Sequence, residues 1–94
     1  MIFLDSSIIY NTLVETEITK YAKEVLEQRT PKITSDTAID EVWFALLRKK
    51  MGVNSARTLK KRVSKSLEGR QALYDVLVKI FAFLQEHGVL IIPD

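Results

Sequence analysis

Ile2-Phe3-Leu4-Asp5-Ser6-Ser7, at the start of the chain, joins three apolar residues to an acid and two hydroxyls. The apolar run is too short for a helix, and residues that favour helix N-caps follow it. It therefore reads as a buried strand that turns directly into a helix. A strand apolar on both faces belongs to a parallel sheet covered by helices.

The helix after this strand is expected at about 7–14, capped by Ser6 or Ser7. Thr16 is the expected cap of a second helix, whose Ile18, Tyr21, Ala22, Val25 and Leu26 form one apolar stripe. Thr30-Pro31 interrupts it, because proline lacks an amide proton and restrains its neighbour. Lys32-Ile33-Thr34 reads as a second short strand. Ser35 or Asp36 then caps a helix over about 36–50, apolar almost all round. It ends in Arg48-Lys49-Lys50, which suits the negative end of the helix dipole, and Gly52 closes it.

Asn54 or Ser55 starts a basic helix, about 55–67, with a narrow stripe of Ala56, Leu59, Val63 and Leu67; Gly69 is expected to break it. A last helix, about 70–87, carries Leu73, Val76, Leu77, Ile80, Phe81 and Leu84. Gly88 stops it, and Val89-Leu90-Ile91-Ile92 reads as a third buried strand. The order strand, helices, strand, helices, strand predicts an α/β fold with a parallel sheet and right-handed crossovers.

The 94 residues predict one domain with a single core. There is no cysteine, which removes disulfides, thiolate metal sites and cysteine nucleophiles. No apolar run is long enough to span a membrane, and the first residues lack the basic start of a signal peptide, so a cytoplasmic location without membrane contact is expected. The net charge of +2 hides an asymmetry: residues 1–41 carry −4 and residues 42–94 carry +6. Between Val42 and Leu67 there are eight bases and no acid. Of these, Arg48, Lys49, Lys50, Arg57, Lys60, Lys61 and Arg62 are candidate contacts for a nucleic-acid backbone. A solvated helix face would carry the same charges.

Asp5 stands at the carboxyl end of the first strand, the edge where open α/β sheets bind ligands. An acid there suits a hard divalent cation, although it could also simply cap the next helix. Asp40 and Glu41 are acids in an otherwise apolar helix. Periodicity puts both at the flanks of the core stripe and leaves the choice between them open. His87 is the only histidine and lies at a helix stop, so no zinc cluster is expected. Trp43, Phe81 and Phe83 are expected in the core.

Ile2-Phe3-Leu4-Asp5-Ser6-Ser7-Ile8-Ile9 resembles the opening of PIN domains, an apolar strand ending in an aspartate and small polar residues. The segment from Ile33 to Leu47 is similar to their second motif, a strand and a helix with a glutamate about six residues past the strand. The resemblance implies a three-layer PIN-like α/β fold: a parallel sheet of about three strands with helices on both faces, over a single domain 1–94. It implies a metal-dependent endoribonuclease of the VapC toxin type, with Asp5 and Glu41 as catalytic residues and ligands of Mg²⁺ or Mn²⁺. RNA is then the substrate and a small antitoxin protein the partner. The family's third acid follows the third strand, in a segment like Leu-Ser-x-x-Asp-Ala. The chain reaches only Asp94, which does not match it, so a truncated domain, incomplete at its C-terminus, is expected. That leaves the first strand as an open edge and predicts self-association through it. The alternative is an inactive PIN remnant that binds RNA, a protein or its own copy.

Overall fold

A computed structural model describes all residues, 1–94. Strand β1 (Ile2–Phe3) leads into helices α1 (Ser6–Leu13) and α2 (Thr19–Leu26). Strand β2 (Lys32–Ser35) leads into α3 (Asp36–Met51), α4 (Ala56–Lys65) and α5 (Leu67–Glu86), and β3 (Leu90–Ile92) follows. The three strands form one parallel sheet in the order β1-β2-β3. Ile2 pairs with Lys32 and Phe3 with Ile33, while Ile33, Thr34 and Ser35 pair with Leu90, Ile91 and Ile92. The α/β class, the parallel sheet and the order of elements are those read from the sequence.

The second layer of helices is not built. Both crossovers run the same way across the sheet, and right-handed crossovers of that kind place their helices on one face. The helices form one continuous layer: α1 packs on α2 and α3, α3 on α5, and α5 on α4. On the covered face lie Leu4 and Thr34, both wholly buried. The opposite face carries Phe3, Ile33 and Leu90 in one row, with Ile92 beyond; Phe3 is 54% and Leu90 68% exposed. The open edge of β1 is present as expected, but a two-residue strand turns few backbone groups outward.

The core is built from Leu4 and Ile9 at the first strand–helix junction, Val42 and Leu47 of α3, Leu59 of α4, and Val76, Ile80 and Phe83 of α5. Two polar side chains share the covered face of β2. The Thr34 hydroxyl donates to the Leu4 carbonyl at 2.7 Å. The Lys32 ammonium donates to the carbonyls of Gln28 and Thr30. Both groups are thus satisfied, as burial requires. Phe81, expected in the core, is 60% exposed.

The caps correct the sequence reading in detail. Asp5, not Ser6 or Ser7, caps α1: its Oδ1 accepts from the Ile8 amide at 3.0 Å. Thr16 does not cap α2 directly. Its hydroxyl accepts from the Ile18 amide, its amide donates to the Thr19 hydroxyl, and the helix starts at Thr19. Ser35 and Ser55 cap α3 and α4 as expected. Gly52 ends α3 in the left-handed conformation, φ 65°, which costs a residue without Cβ little.

Gly69 does not break a helix. The break is at Ser66, which ends α4 and caps α5 through a hydrogen bond from the Gly69 amide at 2.9 Å. Gly69 is buried one turn inside α5, where an added Cβ would lie 2.3 Å from the Arg62 carbonyl oxygen. The glycine therefore allows α4 and α5 to turn tightly on each other. Alanine at a helical glycine ordinarily gains about 1 kcal/mol from propensity. Here the clash is with backbone, which cannot rotate away, and Gly69→Ala is expected to destabilise by about 1–3 kcal/mol in urea unfolding. A gain in stability would show that the α4–α5 turn has room to spare.

Candidate functional site

The parallel sheet brings the carboxyl ends of all three strands to one edge, and four acids stand there or one turn away. Asp5 follows β1, and Asp36 opens α3 after β2. Asp94 follows β3 and is bonded by the Thr37 hydroxyl at the start of α3. Glu41 lies in the second turn of α3. The Ser6 hydroxyl donates to Glu41 Oε2 at 2.8 Å, bridging α1 and α3. The bond ties Glu41 to the residue that follows Asp5, while the Asp5 carboxylate itself turns to the Ile8 amide as the cap of α1.

The geometry separates Asp40 from Glu41. Asp40 Oδ1 accepts from the Trp43 indole N–H at 3.3 Å, within α3. Glu41 points to α1 and lines a pocket of about 430 Å³ between α1 and α3. Ser6, Tyr10 and Asn11 form one wall of this pocket, and Phe44 and Arg48 continue the other. The Arg48 guanidinium lies 5.2 Å from the centre of the Phe44 ring, a cation–π contact that holds it at the pocket. Seven residues of helix separate Glu41 from Arg48, about 10 Å along the axis. The pocket thus has a carboxylate at one end and a guanidinium at the other.

The remaining basic candidates are divided. Lys49 and Lys50 end α3, and Arg57, Lys60, Lys61 and Arg62 lie on α4; all are exposed. Lys50 is 3.6 Å from Asp75 with both side chains nearly half exposed, a contact of little energetic weight. The Arg62 guanidinium donates to the Met51 carbonyl. Lys60 lines an apolar hollow with Trp43, Phe44 and Leu73. Phe44 thus borders both hollows, and the positive surface continues from Arg48 onto α4 rather than surrounding the acids.

A hard cation fits the donors by type. Asp5 has Oδ2 and Glu41 has Oε1 free of protein hydrogen bonds, and carboxylate oxygens are what Mg²⁺ or Mn²⁺ takes. By number the set is small: no group of three or more acids or histidines is arranged to hold a metal. Mg²⁺ is commonly held through one or two carboxylates, with water and substrate phosphate filling the remaining positions. Sequence reasoning missed Ser6 as the link to Glu41 and Tyr10, Asn11 and Phe44 as pocket walls. Only the small hydroxyl directly after the strand-end acid hinted at the first. His87 packs against Phe83, ring centres 4.8 Å apart, away from this site.

No protein-family model, curated protein or solved structure matches the chain.

Asp5 caps α1 through one oxygen of a charged group, and substitution separates the cap from the charge. Asparagine caps helices about as well as aspartate, whereas alanine loses about 1 kcal/mol. Thermal unfolding is expected to show Asp5→Ala clearly destabilised and Asp5→Asn nearly unchanged. Equal losses in both would mean that the charge, not the cap, holds the start of α1.

Proposed function

We propose that the chain carries the acidic site of a PIN-like, metal-dependent endoribonuclease. One observation supports this most: the bond from Ser6 to Glu41 ties the second acid to the residue that follows Asp5 at the carboxyl edge of the sheet, in a pocket that ends in Arg48. In this reading Asp5 and Glu41 hold Mg²⁺ or Mn²⁺ through their free oxygens. The cation supplies a water acidic enough to attack a phosphodiester and neutralises charge developing on the phosphate. Ser6 fixes the rotamer of Glu41, so that one oxygen is committed to the protein and the other faces the pocket. Arg48 takes a neighbouring phosphate, and Lys49, Lys50, Arg57, Lys60, Lys61 and Arg62 attract the backbone without reading bases. The family resemblance extends the proposal to a toxin whose antitoxin partner covers the acids.

A second reading has its own support in the small number of ligands. With no third acid or histidine in the group, the chain would bind RNA through α3 and α4 without cutting it. No helix is long and apolar enough to cross a membrane, so neither reading involves a membrane-spanning helix.

The two readings separate in one experiment. Single-stranded RNA is incubated with Mn²⁺ and the wild-type chain, Asp5→Asn or Glu41→Gln, with folding checked by circular dichroism. The nuclease reading expects cleavage by wild type and a loss on the order of 100-fold or more in each variant. Folded wild type that binds but does not cleave would leave the binding reading standing. A further expectation concerns α4: replacing Lys60, Lys61 and Arg62 by alanine should lower the slope of log affinity against log salt by about 0.7 for each phosphate no longer neutralised. An unchanged slope would take α4 out of the RNA surface.

A further inference from the structure

The outer face of α5 is apolar where a surface helix should be polar. Its buried side is Ala72, Val76, Ile80 and Phe83. Directly opposite, Leu67, Tyr74, Val78 and Phe81 are 83%, 64%, 49% and 60% exposed. With Gln71 and Gln85 between and beyond them, these positions recur at alternating intervals of four and three residues. That is the spacing by which one helix packs against another as a coiled-coil seam. No charge lies on the seam.

We propose that this face is the interface of a parallel homodimer, α5 packed in register against α5 of a second copy. Three observations select a second copy as the occupant. The spacing calls for a helix with the same spacing, and α5 is such a helix. In parallel register each seam residue meets its own copy, so the Gln85 amides of the two copies face each other and hydrogen-bond across the axis, while Gln71 donates to Asp75 Oδ1 of its own chain at 3.0 Å. Flanking the seam, Arg70 comes opposite Asp75 of the second copy, five residues on, and the symmetry makes that pair twice. Within its own chain Asp75 lies 3.6 Å from Lys50 and accepts from Gln71, and Arg70 donates to the Ser64 carbonyl, so the cross-pair forms beside these exposed contacts.

A seam of three heptads is short for isolated peptides, which must form the helix as they pair. Here the domain core already holds α5 helical, so pairing carries no such cost. The bare sheet face and the edge of β1 are rival surfaces. The edge is only two residues long, and nothing on the sheet face sets a register.

Light scattering at tens of micromolar tests the proposal on the full chain. Wild type is expected at twice the monomer mass of 10.8 kDa. Val78→Asp/Phe81→Asp is expected as a folded monomer, its dimer weakened on the order of 100-fold. Both positions are exposed, so circular dichroism should be unchanged. Phe3→Asp, on the bare sheet face, is expected to remain dimeric. On oxidation, Val78→Cys should cross-link to its own copy. A wild-type monomer, or a dimer abolished by Phe3→Asp and indifferent to the α5 variant, would overturn the proposal. Cross-linking only between Tyr74→Cys and Val78→Cys chains would overturn the parallel register.

Discussion

The pairing of β2 with a parallel neighbour on each side constrains almost everything else in this molecule. Parallel neighbours need long crossovers, and the chain supplies two, both moving the same way across the sheet. Right-handedness then sends every helix to one face. The other face stays apolar and open, with Phe3, Ile33, Leu90 and Ile92 upon it. The same pairing aligns the carboxyl ends of the strands, so the start of α1 and the start of α3 become neighbours. The candidate site is the seam between those two helices. In larger α/β sheets the ligand crevice arises where strand order reverses. This order has no reversal, and the crevice comes from adjacent crossovers instead.

Within that frame, one hydrogen bond does most to define the site. Ser6 could have capped its own helix. Asp5 takes that task, which frees the Ser6 hydroxyl to reach Glu41 across the gap. The acid that caps and the acid that is held are thus fixed through consecutive residues of the chain, each with one oxygen used by the protein. Such an arrangement fixes two carboxylates without burying them, avoiding the large cost of placing like charges in an apolar interior. The energetic burden falls on the cap and on the α1–α3 packing, through Ile9 and Val42, both wholly buried.

The sequence made the backbone plan legible because its signals were local. Apolar runs marked the first and third strands, Thr30-Pro31 and the cap at Ser35 bounded the second, and Ser55, Gly52 and Gly88 marked helix ends through chemistry carried within a few residues. Asp5 was readable as a strand-end acid for the same reason. Its partner was not: Asp40 and Glu41 are adjacent, and only the placement of α1 against α3 turns one of them to Ser6 and leaves the other with Trp43. Gly69 misled because glycine breaks helices when exposed, whereas here it serves a close approach to the Arg62 carbonyl. Phe81 misled because α5 has two apolar faces, and periodicity cannot say which one the core takes.

In the proposed function, Asp5 and Glu41 act together on a divalent cation at the carboxyl edge of the sheet. Titrating Mn²⁺ into the isotopically labelled protein and following paramagnetic broadening of its amide signals tests this most directly. The acids Glu15, Glu24 and Glu27 on and beside α2 line a separate hollow together with Lys20 and Lys23 and serve as an internal comparison. Early broadening is expected to centre on Asp5, Ser6 and Glu41 and to be abolished by Glu41→Gln. Broadening centred instead on Glu15, Glu24 and Glu27, and unaffected by Glu41→Gln, would contradict the joint role of the two acids.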